Sequence, residues 1–391
     1  MPTSNIIKVA IISDLHAVQC NKDEHKNTFL TTAIPEVDCQ KHPISGLCKL
    51  IKNENLTADL VICCGDLGDQ ADPGGIRYGW KQVKRVQREL KASVLTTTSG
   101  NHDVDSRSKY NSDPWYTLKN LQPPFPSPKQ ALKNSFWSNY WFSNNHNGVR
   151  IVNLNSSAFH SNKFQSKHGF VTEELIAQLR ERLESEAPGL INILVCHHHP
   201  QRHMELRLGA HDDMVNGQLL LDLLGNSKYG DWLVVHGHKH HPKITYASGG
   251  ANSPVVFSAG SVSAKIFPDL GVRNQFHIIE FPIKRISELG LVGTFRTWEW
   301  TYNRPWDAAR TGSGLPFIGG FGIREYRLLA SRIKKVASRR SFISWQEVER
   351  KLPEVNYLLP RDLKSLLDVL KSDHALNSFL NEFGMPRQIG K

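Results

Sequence analysis

The chain has 391 residues, 39% hydrophobic and 22% charged, with 48 lysines and arginines against 37 carboxylates and a net charge of +11. Length and apolar content exclude a disordered or fibrous chain and allow one large core with an appendage. No 18-residue apolar stretch is present to span a membrane. The first apolar run is too short and too charged for a signal peptide, so a cytoplasmic protein is expected.

The apolar run 6–12 predicts a buried first strand ending at Asp14-Leu15-His16. A polar segment, 17–43, is unusually long for a connection. Strand 60–63 runs into Gly65-Asp66, helical periodicity covers 78–91, and strand 94–97 ends at Gly100-Asn101-His102-Asp103. A loop holding Asp105, Arg107 and Lys109 follows, then the proline-rich 122–128. Strand 149–155 and the amphipathic helix 172–184 lead to strand 191–195, which ends at Cys196-His197-His198-His199-Pro200. The loop 201–216 carries Arg202, His203, Arg207, His211, Asp212 and Asp213. A short helix at 219–224 precedes strand 232–235 and Gly237-His238-Lys239-His240, and further strands are expected at 243–246, 254–258 and 274–281.

Residues 303–321 are rich in glycine and proline and read as a linker or ordered loop rather than helix or strand. From 326 the pattern turns helical. Leu328, Leu329, Ile333 and Val336 make one stripe, Trp345, Val348 and Leu352 a second, and Leu363, Leu366, Leu367 and Leu370 a third. Ser344 and Glu347 form a capping box. The first of these helices is basic, with Arg324, Arg327, Arg332, Lys334, Lys335, Arg339 and Arg340, which opens a nucleic-acid reading beside that of a solvated face. Three regions follow: a catalytic domain at 1–300, a linker at 301–325 and a basic helical appendage at 326–391. The six cysteines form no CxxC pair and suit a reducing interior; Cys20, Cys39, His42 and Cys48 read as loose loop residues rather than a zinc clip.

Five blocks of ligand-type residues thus sit at strand C-termini, the edge where open α/β sheets place their sites. Two divalent ions need mixed carboxylate and imidazole ligands, and one carboxylate can bridge them about 3.5–4 Å apart. Asp14 with His16, and His238 with His240, have chelating spacings; Asp66 is the natural bridge, and Asn101 offers a neutral oxygen.

In order, the blocks resemble those of the calcineurin-like metallophosphoesterase superfamily: D-x-H, G-D, G-N-H-D/E, H and G-H-x-H. The likeness spans about 6–285. It implies an α/β fold of two mixed β-sheets packed face to face with flanking helices, plus the small C-terminal helical region. It also implies one ion on Asp14, His16, Asp66 and His240, and a second on Asp66, Asn101, His197 and His238. The three consecutive histidines leave His198 open as the alternative to His197. The resemblance makes His102 the group that protonates the leaving oxygen and Asp103 its orienting partner, while a metal-activated hydroxide attacks phosphorus.

The implied activity is a phosphodiesterase acting on a phosphodiester or nucleotide. A nuclease on DNA or RNA is the alternative, and a phosphate-ligand sensor the weaker one. Manganese is the expected metal, with iron, zinc or nickel compatible with the same ligands. Arg107 and Arg202 are candidate phosphate clamps, because a guanidinium fork suits phosphate. The protein-phosphatase branch fits poorly, since Gly65-Asp66-Leu67-Gly68-Asp69 continues into Gln70-Ala71. Oligomeric state is not specified by the sequence.

Overall fold

The structure, a computed structural model, describes residues 5–20, 27–164, 166, 168–202, 213–266, 271–310, 312–338 and 340–391. Arg339 and, in the loop 201–216, His203, Arg207, His211 and Asp212 lie outside them.

Two large mixed sheets form the centre. The first runs β12 (Asp307–Ala308), β11 (Gly293–Trp300), β10 (Asn274–Pro282), β1 (Ile6–Ile12), β2 (Leu60–Cys63) and β3 (Val94–Thr97), with β13 (Ile318–Phe321) also paired to β11. The second runs β4 (Trp141–His146), β5 (Val149–Leu154), β6 (Ile191–Val195), β7 (Trp232–His236), β9 (Val255–Ser258) and β8 (Lys243–Tyr246). β1, β2 and β3 are mutually parallel, as are β5, β6, β7 and β9, so their C-terminal ends open on common edges.

Alternation along each strand builds three layers of core. Val9 and Ile11 of β1 meet Ile193 and Val195 of β6 and Leu233 and Val235 of β7 between the sheets. Ala10 and Ile12 point the other way, under helices α1 (Pro43–Asn53) and α2 (Pro73–Glu89). The short α3 (Tyr116–Lys119) and α4 (Gln130–Ser138) close that side. On the far side, Leu194 and Val234 pack against α5 (Glu173–Ser185) and α6 (Gly217–Leu224). The result is the α/β/β/α sandwich. α7 (Ile283–Leu289) follows β10 at its edge.

The expected linker needs correction. Residues 307–308 and 318–321 are strands hydrogen-bonded to β11, so the glycine-rich segment completes the first sheet. Its glycines permit close packing rather than looseness: a Cβ on Gly320 would come 1.9 Å from the Asn356 carbonyl oxygen.

The appendage is not all-helical either. Helices α8 (Tyr326–Ala337), α9 (Trp345–Lys351) and α10 (Pro360–His374) pack with an antiparallel sheet ordered β14 (Phe342–Ser344), β16 (Pro386–Gly390), β15 (Asn377–Leu380). Leu329, Ile333, Val348, Leu366, Leu370 and Ile389 form its separate core, whereas Leu328 is 58% exposed. Ser344 Oγ caps α9 by accepting from Glu347 N, but the Glu347 carboxylate pairs with Arg340 and Lys351, so only half of the expected capping box is formed. The module is fastened to the second sheet: the Arg324 guanidinium stacks 3.7 Å from the Tyr246 ring and donates to Ser253, while Tyr246 donates to the Ile323 carbonyl. Among the described residues no helix is long and apolar enough to cross a membrane.

Candidate metal centre

The seven ligand-type residues singled out in the sequence come from five separate strand ends and meet in one place. Backbone bonds stitch the loops together: Asp14 N donates to the Gly65 carbonyl, His16 N to that of Asp66, and Gly237 N to that of His197. Two glycines leave no room for a side chain. A Cβ on Gly100 would lie 2.0 Å from Asp66 Oδ1, and one on Gly237 2.3 Å from Asp14 Oδ2.

Five of the seven, Asp14, His16, Asp66, His238 and His240, hold positive φ, between 47° and 84°. A non-glycine residue pays for that conformation, and such strain collects where side-chain placement matters more than backbone ease.

One cluster comprises Asp14, His16 and His240. His16 Nε2 lies 2.8 Å from His240 Nε2 and 3.5 Å from Asp66 Oδ2, and His240 Nε2 is 3.5 Å from Asp14 Oδ1. A second joins Asp66 Oδ2 to His197 Nε2 at 3.3 Å, with Asn101 Oδ1 2.9–3.0 Å from His197 Nε2 and His238 Nδ1. Donor atoms about 2.1 Å from an ion lie about 3.0–3.4 Å from each other at octahedral or tetrahedral angles. The observed separations match ligand-to-ligand edges.

Asp66 Oδ2 is buried with no hydrogen-bond donor, yet faces His16 on one side and His197 on the other. Such an orphan is costly unless a cation belongs beside it. The donor set therefore fits a pair of divalent ions.

The fourth block separates by its partners. His197 Nδ1 faces the Cys64 carbonyl at 2.7 Å, which commits that nitrogen and turns Nε2 toward Asp66 and Asn101. This is the backbone-anchored orientation common to ligating histidines. His198 Nδ1 instead meets Ser156 Oγ at 2.9 Å, and its ring packs against those of His160 and His238. It remains within the His197–His238 cluster.

The electrostatics suit cations. Burial alone would raise Asp66, but His197 and His102 overcome it and hold the carboxyl at about 2. Burial works against a charge on His16, yet the Asp14, Asp69 and Asp66 carboxylates within 3.8 Å of its ring nitrogens push it up to about 10. Burial and the His197 charge depress His238.

One expected partnership fails. Asp103 does not touch the His102 ring: its carboxylate accepts from Gly68 N at 3.0 Å and Gly100 N at 2.9 Å. Burial and the Asp66 charge raise it to about 7. The 3-10 turn Asn101–Asp103 tucks Asp103 beneath the loop, while Asp69 Oδ1 sits 2.8 Å from His102 Nδ1. Sequence reading missed Asp69, whose signal was its spacing three residues after Asp66. Ser156, which accepts from the backbone N–H of both His197 and His198, carried no recognisable signal.

The His102 side chain is 33% exposed and that of His240 27%, against 3% or less for His16, Asp14, Asp66 and His197. The cluster thus opens to solvent past His102. Arg107 and Arg202 are exposed, and neither bonds to a member of the cluster. Arg107 lies in a loop gathered by Asp105, whose carboxylate accepts from the backbone of Lys109, Tyr110 and Asn111. The four cysteine-clip candidates do not assemble: His42 caps α1 and meets the Tyr78 hydroxyl.

The calcineurin-like phosphoesterase family model matches residues 7–255. A second, wHTH-Calcineurin_assc, a winged helix-turn-helix, matches residues 319–372. No curated protein matches the chain in sequence. Similar solved structures include the purple acid phosphatase PPD1 of yellow lupin (Lupinus luteus) seeds, 14% identical with a TM-score of 0.49 over 78% of this chain and 54% of that one. PhoD is 10% identical, TM-score 0.49, over 82% and 71%. TT1561 of Thermus thermophilus is 11% identical, TM-score 0.38, over 76% and 100%. The chain spans about half the length of the lupin enzyme. With the first model matching well over half its residues, the chain belongs to the calcineurin-like phosphoesterase family.

Proposed function

We infer from this membership a phosphoester hydrolase whose clustered histidines and aspartates can hold metal. We propose that the chain is a phosphodiesterase using two divalent ions, manganese first among them. The observation that carries this is the buried, unbonded Asp66 Oδ2 between two imidazole nitrogens.

Asp14, His16, Asp66 and His240 would hold one ion, and Asp66, Asn101, His197 and His238 the other. Bound there, the ions would supply the Lewis acidity that polarises the phosphoryl oxygens and activates water. The chain's own residues do the rest. Asp66 holds its charge because the histidines around it favour the carboxylate. His102, at the solvent-facing mouth, would give a proton from Nε2 to the leaving oxygen, with Asp69, 2.8 Å from Nδ1, holding its ring. Arg107 and Arg202 would take part only if a bound phosphodiester drew them in. The catalytic unit then runs through Phe321, and the winged module begins at Gly322.

The test is hydrolysis of bis-(p-nitrophenyl) phosphate by the full chain with Mn²⁺, beside Asp66→Asn. Turnover that the variant loses together with one bound ion supports the reading. Equal turnover in both sinks it. A nuclease is the second reading, favoured by the charge of residues 326–391: thirteen lysines and arginines against seven carboxylates. Degradation of oligonucleotides faster than of the small diester would favour it. Binding of nucleotide without hydrolysis under any divalent ion would favour a phosphate sensor.

A further inference from the structure

Two phenylalanines 37 positions apart in sequence become neighbours on the small C-terminal sheet. In its register Phe342 pairs with Gly390 and Gly390 with Asn377, while Ser344 pairs with Gln388 and Gln388 with Phe379. Paired residues share a face, and positions two apart share it too. Phe342, Ser344, Asn377, Phe379, Gln388 and Gly390 therefore lie on one side of the sheet. Ile343 and Ile389 lie on the other, buried in the module core.

The first side faces solvent. Phe342 and Phe379 are each 52% exposed, with ring centroids 6.3 Å apart. A Cβ on Gly390 would meet the Phe342 ring at 2.3 Å, so the glycine keeps the surface beneath that ring flat. Neither ring belongs to the module's core cluster, and about half of each is left in water.

The surroundings select a partner. The module carries a net charge of +6, more than half that of the whole chain in about a sixth of its length. Arg340, whose guanidinium also pairs with Glu347, and Lys391 flank the Phe342 end of the shelf in sequence, and both are exposed. A cationic surface with two open ring faces suits a polyanion that presents unpaired bases. A duplex does not fit, because its bases are already stacked. The helix that would read a duplex groove in a helix-turn-helix is poorly equipped: α10 balances Arg361, Lys364 and Lys371 against Asp362, Asp368 and Asp373. Its Leu363, Lys364 and Leu367 also line the cleft against the catalytic sheet.

We propose that this face binds single-stranded RNA, with bases stacking on Phe342 and Phe379 and phosphates drawn by Arg340 and Lys391. The Asn377 and Gln388 amides, placed beside the rings, both donate and accept, which suits a 2′-hydroxyl that does the same. The proposal does not depend on the catalytic reading.

The experiment measures fluorescence anisotropy of a labelled twelve-nucleotide single-stranded RNA with the full chain in EDTA, where no hydrolysis intervenes. Unlabelled single-stranded DNA and duplex RNA of the same sequence serve as competitors. Base stacking on one aromatic ring corresponds to about a five- to hundredfold change in Kd, expected for Phe342→Ala and for Phe379→Ala. Phe342→Tyr and Phe379→Tyr should bind like the parent, which separates lost stacking from lost folding. Lys391→Gln should lower the salt slope by about 0.7, one phosphate on a single strand. Absence of RNA binding, or unchanged Kd in the double alanine variant with an unchanged melting temperature, overturns the proposal. So does DNA competing as well as RNA. Concentration-dependent dimerisation abolished by the same substitutions would make the face a contact between copies, and also overturns it.

Discussion

Asp69→Asn separates orientation of His102 from metal binding. Asp69 is 2% exposed and its Oδ1 lies 2.8 Å from His102 Nδ1. The two nearby histidines overcome its burial and hold its carboxyl far below the usual range, so it is charged at any pH where the protein would work. The substitution keeps the volume and removes the charge. A charge-assisted hydrogen bond to a buried group contributes about 1.5–3 kcal/mol, and an amide in its place loses that hold on the ring, which must keep Nε2 aimed at the leaving oxygen. If that difference falls in the transition state, kcat drops about 10- to 150-fold while KM stays within about twofold.

Asp69 Oδ1 also lies 3.5 Å from His16 Nδ1, so lost activity alone would not isolate the effect. The assay therefore pairs kcat for bis-(p-nitrophenyl) phosphate with metal content per chain. Reduced kcat at two ions per chain is the expected result. Unchanged kcat would remove Asp69 from the mechanism, and loss of an ion in parallel with activity would reassign it to holding His16.

Asp103→Asn should lower kcat much less than Asp69→Asn but cost about 2 kcal/mol of unfolding free energy in urea, because its carboxylate serves two buried backbone donors. His197→Ala should reduce bound metal from two ions to one, whereas His198→Ala should retain both; the reverse pattern in metal analysis would exchange their roles. Burial depresses His42 and His277 to about 4, below their unfolded value near 6.5. Their contribution is then complete above pH 6.5 and is lost as pH falls toward 4, each by at most about 3 kcal/mol. Urea unfolding of metal-free protein should show this fall, and His42→Gln/His277→Gln should flatten it. Arg324→Ala removes a close cation–π contact and two hydrogen bonds, so it should cost about 2 kcal/mol and hasten proteolysis between residues 321 and 326; an unchanged digestion pattern would refute the fastening role.

The parallel strands of the catalytic half were legible because most are buried on both faces and read as near-continuous apolar runs, whereas β4, with its polar second half, and β11 gave no such signal. Leu60–Cys63, Val94–Thr97 and Ile191–Val195 begin and end where those runs do. Ligand residues just beyond such runs must sit on one sheet edge, so convergence followed from topology alone. Side-chain bonding did not. Asp69 and Asp103 have equal sequence claims on His102, and only the turn at Asn101–Asp103 decides which carboxylate faces the ring.

The C-terminal quarter was misread for a different reason. Short edge strands such as Ile318–Phe321 and Phe342–Ser344 carry too few alternations for a period-2 signal, and the glycines that allow their close packing also mimic a linker. Their identity comes from partners far away: β13 exists because β11 offers it an edge, and β14 because β16 does. The same long-range pairing creates the shelf. Phe342 alone looks like a misplaced core residue and Phe379 like a loop aromatic. Only the three-strand register, with Gly390 between them, sets the rings on one face while Ile343 and Ile389 supply the core beneath. Since that core is complete without the two rings, their exposure is a property of the folded module and not a cost its stability requires.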